Sequence, residues 1–209
     1  MNVLTAIDHI ILNIKMNTLL FLKKILLVVL LTLNTSISAE IVLDNTLGSS
    51  ARPLQGPDFA IEPNMGQQMG NNLFHSFATF NLNPNESAKF NGPTNIENII
   101  SRVTGGKASH INGLLHSTIP NADMYFLNPA GIMFGEHARL DIQGSLHIST
   151  ADYLKLGNDG LFTATNPENT LLTIAPPTAF GFLDTNPAPI IKAFLKSKKK
   201  KLYLSLVAI

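Results

Sequence analysis

Residues 122–135, ADMYFLNPAGIMFG, place two short apolar runs on either side of the turn Asn128-Pro129-Ala130-Gly131. Pro129 presets the backbone at the first central position of a β-turn, and Gly131 closes the turn without steric restriction. Neither run alternates apolar with polar side chains, as a strand with one solvent-facing side would. Because such strands are covered on both faces, the stretch predicts two buried strands joined at a tight corner.

Similar short β-rich runs recur over residues 41–148, separated by turns that contain Gly, Pro and Asn. No stretch there shows sustained helical periodicity, so the rhythm predicts an all-β sandwich, barrel or solenoid. The apolar centres near Val103, Tyr125 and Leu146 follow one another at roughly the repeat length of stacked coils. The pattern therefore slightly favours a solenoid over a sandwich.

The chain of 209 residues contains 15 Lys and Arg against 14 Asp and Glu, but these charges are unevenly distributed. Residues 40–190 contain 6 basic and 13 acidic side chains, a net charge of −7. A nucleic-acid-binding domain needs a cationic surface, so this partner class is excluded. The absence of cysteine removes disulfides, cysteine nucleophiles and thiolate metal sites.

The amino-terminal region has the order of a secretory signal peptide. Lys23 and Lys24 precede a nine-residue apolar run, and a polar stretch follows that ends in small residues at Ala39. The run is well short of the ~20 residues that a membrane-spanning helix needs. We therefore predict a signal peptide over residues 1–39, starting at Met1 or Met16, handled by the Sec translocon and cleaved after Ala39.

The candidate catalytic and metal-binding residues match no known catalytic or metal-binding motif. The histidines lack zinc-ligand spacing, and His75, which lies between aromatic residues, is expected to hydrogen-bond a backbone group. Gly105-Gly106-Lys107 lacks the remaining residues of a phosphate-binding loop. The carboxylates are scattered singly, at Asp123, Glu136, Asp141, Asp152 and Asp159. We expect no enzyme activity, no metal and no cofactor, and we keep a secreted β-helical polysaccharide-active enzyme as the alternative function.

The 122–135 stretch resembles the haemagglutination-activity, or two-partner-secretion, domain at the amino terminus of filamentous-haemagglutinin-type (TpsA-type) exoproteins. Residues Asn128, Pro129, Ala130, Gly131 and Ile132 occupy the Asn-Pro-Asn-Gly-Ile position of that family. Further blocks match in order and spacing over about residues 41–190, namely 72–77, 98–106, 109–113, 144–152, 175–182 and 186–190. The family's Asn-Pro-Asn-Leu motif is missing, since the three matching letters at residues 83–85 come too early.

The resemblance implies a right-handed parallel β-helix, or β-solenoid, with a capped amino-terminal coil and extra strands outside the helix. It also implies a secretion signal that an outer-membrane TpsB-type β-barrel transporter, bearing POTRA domains, recognises in the periplasm. The transporter exports the chain to the cell surface, where members of the family usually act as adhesins on host or neighbouring cells. The Asn128 turn is the expected determinant of this recognition.

The predicted organisation is a signal peptide over 1–39, a two-partner-secretion β-helix domain over 40–190 and a lysine-rich tail over 191–209. The four consecutive lysines at residues 198–201 are expected to repel one another in a stacked sheet. Because the family continues through further coils, we interpret the tail as the product of a truncation or a frameshift.

Overall fold

The computed structural model describes residues 40–192, together with residues 14–16, 18, 21, 23, 196–197 and 202–205. The chain divides into two compact units, Met1–Ser38 and Ala39–Ile209. The described residues of the first unit are helical. Across the described ranges, no helix has both the length and the apolar character needed to cross a membrane. The apolar run of the predicted signal peptide and the cleavage residue Ala39 lie outside the described residues.

The second unit is built almost entirely of strands. Its described strands are β1 (Ile41–Leu43), β2 (Arg52–Pro53), β3 (Asp58–Ile61), β4 (Gln67–Met69), β5 (Asn72–Phe80), β6 (Ser87–Phe90), β7 (Asn98–Val103), β8 (Ser109–Ile111), β9 (Leu114–Ser117), β10 (Asp123–Leu127), β11 (Ile132–Phe134), β12 (Arg139–Asp141), β13 (Leu146–Ser149), β14 (Tyr153–Leu156), β15 (Gly160–Thr163), β16 (Pro177–Gly181), β17 (Ile190–Lys192), β18 (Lys196–Ser197) and β19 (Leu202–Ser205). Two short 3₁₀-helices are Pro63–Met65 and Pro167–Asn169.

Three parallel sheets stack these strands into coils. The first sheet contains β5, β7, β10, β13 and β19, the second β3, β6, β9, β12 and β18, and the third β8, β11 and β17. Successive coils add one strand to each sheet, so the unit is a parallel β-solenoid of about four turns. The predicted all-β parallel β-helix is therefore confirmed.

The register of the first sheet gives the length of one coil. Phe74, Ile100, Tyr125 and His147 are neighbours across successive strands, at spacings of 26, 25 and 22 residues. Tyr125 is therefore paired with Ile100, three residues before the apolar centre expected at Val103. The chain therefore does repeat, but the length of one coil varies because the turns between strands differ in length.

The first coil is capped by antiparallel strands on one edge of β5. β4 pairs with the beginning of β5 and β1 pairs with its end, while β2 extends the sheet beyond β1. A register shift inserts Ala78 as an extra residue opposite β1. Because side chains alternate along a strand, this bulge brings both Phe77 and Phe80 into the core.

The solenoid interior is a continuous apolar core. Leu73, Ile99, Met124 and Leu146 form one ladder across the first sheet, and each is almost completely buried. Burial of each such side chain contributes roughly 1.5–3 kcal/mol to folding, so stacked coils accumulate stability. Aromatic rings fill the first coils, and the ring centroids of Phe80 and Phe126 lie 4.9 Å apart.

An antiparallel sheet of β15, β14 and β16 lies outside the solenoid, between β13 and β17 in the chain. Its Leu154, Leu156 and Phe162 pack against Phe74 and Ile100 on the outer face of the first sheet. The first sheet is therefore covered on both faces, as the unbroken apolar run at residues 124–127 indicated. This appended sheet supplies the extra strands that the family resemblance implied.

The sheets continue past residue 190, where the sequence placed the end of the domain. β17 pairs with β11, β18 with β12 and β19 with β13, all in parallel register. The lysines at 198–201 lie outside the described residues, and in sequence they fall between β18 and β19. The division between a domain over 40–190 and a tail over 191–209 stays a prediction.

Candidate functional site

The Asn128 turn forms the corner between β10 and β11. Asn128 is 1% exposed, and both ends of its side-chain amide are bonded within the protein. Its Nδ2 donates to the Lys107 carbonyl at 3.0 Å and to Ser109 Oγ at 2.9 Å, and its Oδ1 accepts from the Ala130 amide at 3.0 Å. Asn128 therefore holds its own turn and fastens that turn to the preceding coil.

The other motif residues divide into buried and accessible positions. Gly131 has a φ of +114°, a region that favours glycine, and its amide donates to the Asn128 carbonyl at 3.0 Å. Ile132 is 1% exposed in the core. Pro129 and Ala130 are half-buried. Two of the five predicted site residues therefore offer side-chain surface to a partner, and the other three build the corner.

Pro129 and Ala130 line an open cleft of about 330 Å³. The other residues that line it are Val103, Thr104, Gly106, Asn128, Thr150, Asp152, Ala164, Thr165, Asp184, Asn186, Pro187 and Ala188. Asp152 connects two of these walls, because its carboxylate accepts from Thr165 Oγ1 at 2.5 Å and from the Leu183 amide at 2.7 Å. The sequence placed no functional role on the 182–188 segment, which is more than 50 residues from the motif.

A buried arginine anchors the appended sheet to the solenoid. Arg102 on β7 has no exposed surface, and its Nε donates to Ser76 Oγ at 2.8 Å. Its Nη2 donates to Thr46 Oγ1 at 2.8 Å, and its Nη1 donates to the Thr163 carbonyl. The guanidinium carbon also lies 4.3 Å from the ring centroid of Phe162. Burial lowers the pKa of Arg102 to about 10, although Asp44 works in the opposite direction.

Asp44 is the acidic counterpart of Arg102 and reaches it through shared hydroxyl groups. Ser76 Oγ donates to Asp44 Oδ2 at 2.6 Å, and Thr46 Oγ1 lies 2.7 Å from Asp44 Oδ1. Burial acts to raise the pKa of Asp44, but the hydrogen bonds from Ser76, Thr46 and Thr104 together lower it below its ordinary value. The network thus joins the amino-terminal cap, the first two coils and the appended sheet.

Sequence reasoning missed this network, although one signal was present. Arg102 is the single charged residue of a six-residue strand in which every residue is buried. A charge inside an apolar run of this kind is rarely left unpaired. The acceptors of Arg102 come from segments far away in sequence, so only the fold identifies them.

His75 and Gly105, which the sequence offered as candidate site residues, both make contacts that support the fold. The His75 ring is fully buried beside Phe77 and Phe90, and its Nε2 lies 3.3 Å from the Glu62 carbonyl, which confirms the predicted backbone contact. Burial lowers the pKa of His75 to about 4. A Cβ on Gly105 would lie 2.1 Å from the carbonyl oxygen of the bulged Ala78, so this glycine permits close strand contact.

The singly scattered carboxylates mainly support loops. Asp123 Oδ1 accepts from the Ser145 amide at 2.6 Å, and Asp141 Oδ2 lies 3.4 Å from His116 Nδ1. In the part of the chain that the structure describes, no group of three or more His, Cys, Asp or Glu side chains is placed to hold a metal ion.

Comparison with known proteins identifies the family of this fold. The family model of the TPS secretion domain matches residues 39–208, which include the cap, the coils, the Asn128 corner and the appended sheet. A search of curated proteins found no matching relative. This domain of secreted exoproteins is not known as an enzyme family. The chain therefore belongs to the TPS secretion domain family, the two-partner-secretion domain of exported exoproteins.

Proposed function

We propose that this chain is the secretion-signal domain of a filamentous-haemagglutinin-like exoprotein. After Sec-dependent export and cleavage following Ala39, a TpsB-type outer-membrane transporter binds the domain in the periplasm through its POTRA domains. The transporter then passes the chain to the cell surface, where it serves adhesion to host or neighbouring cells. The family match over residues 39–208 is the observation that carries this proposal.

The physical chemistry of the solenoid suits export without an energy source in the periplasm. Each coil contacts mainly its neighbours, so the buried core grows as coils are added outside the cell. With no cysteine in the chain, oxidation in the periplasm cannot cross-link segments that must pass through the transporter.

Secretion in a reconstituted two-gene system tests the proposal. The full chain is expressed with a cognate TpsB-type transporter, with the same transporter lacking its POTRA domains, and alone. We expect protein in the culture supernatant only with the intact transporter. Equal release in all three strains, or retention with the intact transporter, would overturn the proposed function.

The contribution of the Asn128 turn is tested by Asn128→Ala in the same system. The substitution leaves the Lys107 carbonyl, Ser109 Oγ and the Ala130 amide without the side-chain partner that each has now. We expect destabilisation by about 1–3 kcal/mol and a clear fall in the secreted fraction, with synthesis unchanged.

Asn158→Ala is the matched control, because Asn158 is exposed in the turn between β14 and β15. It should leave both the free energy of unfolding, measured in urea, and secretion close to the wild-type values. Export of Asn128→Ala at the wild-type level would show that the turn is not a determinant of secretion.

A further inference from the structure

The three guanidinium nitrogens of Arg102 are bonded to three separate parts of the chain. Nε donates to Ser76 Oγ on β5 at 2.8 Å, and Nη2 donates to Thr46 Oγ1 in the amino-terminal cap at 2.8 Å. Nη1 donates to the Thr163 carbonyl at the end of β15 and to Thr170 Oγ1 at 2.5 Å. Because the side chain has no exposed surface, each of these partners must come from the protein.

We propose that Arg102 acts as a latch that closes the cap only when the appended sheet has docked. The latch consists of Arg102 with Thr46 on the cap side and with Thr163 and Thr170 on the other side. Without β15 and the loop that follows it, Nη1 would lose both acceptors, and a buried charge with unmet hydrogen bonds is strongly unfavourable. The guanidinium would then turn toward water, and Thr46 would lose its donor.

The carboxylate of the cap depends on the same latch. Asp44 is 8% exposed, and Thr46 Oγ1 connects it to Arg102 by donating to Asp44 Oδ1 at 2.7 Å. Burial lowers the pKa of Arg102 and Asp44 acts to raise it, since a nearby carboxylate favours the charged guanidinium. An open latch therefore leaves Asp44 without the positive charge that compensates its burial.

Apolar contacts join the same two parts of the molecule independently of the charges. Leu47 of the cap is 5% exposed and belongs to the apolar cluster that contains Leu154, Leu156 and Phe162 of the appended sheet. Met69 on β4, the other arm of the cap, packs against this cluster as well. The appended sheet thus supplies both hydrogen-bond acceptors and apolar cover to the cap.

A second buried polar residue fastens the other end of the same segment. Asn72, at the beginning of β5, is 1% exposed, and its Nδ2 donates to the Thr173 carbonyl at 3.2 Å and to the Ala175 carbonyl at 2.8 Å. Its Oδ1 accepts from Asn98 Nδ2 at 2.9 Å. The stretch from Thr163 to Ala175 is therefore held against β5 and β7 at both ends.

The latch makes an early segment of the chain wait for a later one. Synthesis delivers residues 44–47 more than 100 positions before residues 162–170, yet the first segment is fixed only when the second is in place. During the proposed secretion, the cap would close only after both segments had crossed the same membrane. This consequence rests on the proposed function, whereas the latch itself does not.

Hydrogen exchange of the purified full chain, measured by mass spectrometry of its peptides, tests the latch. Thr170→Val removes an acceptor of Arg102 from a residue outside the cap. We expect the amides of residues 41–47 to exchange about tenfold faster or more, and those of β11 and β12 to stay within about twofold. Thr178→Val is the matched control, since its exposed hydroxyl bonds the Lys155 and Gly157 carbonyls within the appended sheet and its turn. It should leave exchange of residues 41–47 unchanged.

The reverse substitution tests the same coupling from the cap. Thr46→Val removes the acceptor of Nη2, and because coupling between two sites is reciprocal, exchange in β14 and β15 should accelerate by a similar factor. Wild-type exchange of residues 41–47 in Thr170→Val, or of β15 in Thr46→Val, would overturn the latch. Equal acceleration in β11 and β12 would overturn it too, since it would show unfolding of the whole domain. The transporter takes no part in these measurements, so each of these results leaves the proposed function standing.

Discussion

Two buried polar residues, Arg102 and Asn128, hold together segments that are distant in the sequence. Arg102 connects the amino-terminal cap to the appended sheet, and Asn128 connects one coil to the next. Such groups stabilise a fold only when all their hydrogen-bonding capacity is used. Their specificity for one arrangement explains why polar side chains occupy positions that an apolar residue could fill.

His75 makes the stability of the domain depend on pH. Its folded-state pKa of about 4 lies below the ordinary histidine pKa of 6.5, so the unfolded chain binds the proton more readily. The full stability is therefore present above pH 6.5 and declines as the pH falls toward 4, by up to about 3 kcal/mol.

Urea unfolding of wild type and His75→Leu at several pH values measures this effect. The variant should lose most of the decline over that window and keep the part that comes from His147, whose pKa burial also lowers. His110→Leu, which changes an exposed histidine, should keep the decline. An unchanged pH dependence in His75→Leu would contradict the assignment.

At the scale of the element, the contact between the end of β7 and the bulge of β5 depends on two adjacent glycines. Gly105 lies so close to the Ala78 carbonyl that a Cβ would stand 2.1 Å from its oxygen. A Cβ on Gly106 would have no neighbouring atom within 4 Å, but the residue has a φ of +69°. One glycine is needed for proximity and the other for its backbone angle.

These reasons predict different costs for the same substitution. Gly105→Ala forces the strand away from the bulge and should cost several kcal/mol, while Gly106→Ala should cost about 1 kcal/mol for the left-handed backbone alone. Thermal unfolding of the two variants compares them directly. Equal losses would show that close contact with Ala78 does not constrain β7.

At the scale of the whole molecule, the appended sheet forms a second apolar core against the outer face of the first sheet. Phe162 is fully buried, its ring centroid lies 5.1 Å from that of Phe74, and its face receives the Arg102 guanidinium. The cleft also depends on this sheet, because Ala164 and Thr165 form one of its walls.

Phe162→Ala should therefore loosen the appended sheet before the solenoid. We expect a loss of about 3–5 kcal/mol, with hydrogen exchange accelerated in β14, β15 and β16 and much less in β10 and β11. Leu161→Ala is the control, since Leu161 is the neighbouring, partly exposed residue of the same strand. Equal acceleration of hydrogen exchange in all strands would contradict the prediction that the appended sheet loosens before the solenoid.

The sequence by itself determined the strand-rich architecture and the Asn128 corner. Short apolar runs, turn residues and a proline–glycine pair act locally, so their meaning does not depend on what packs against them. The unbroken apolar run at residues 124–127 also indicated cover on both faces. The division at residue 190 between the domain and the lysine-rich tail followed from the extent of the resemblance and stays a prediction.

Only the tertiary structure decided which motif residues are accessible and what surrounds them. The register of the coils buries Asn128 and pairs Arg102 with the hydroxyl groups of Ser76 and Thr46. It also brings residues from the segments around 150 and 186 beside Pro129 and Ala130. These contacts join residues that are up to about 60 positions apart. No local pattern encodes such distances, since they follow from how the coils and the appended sheet pack together.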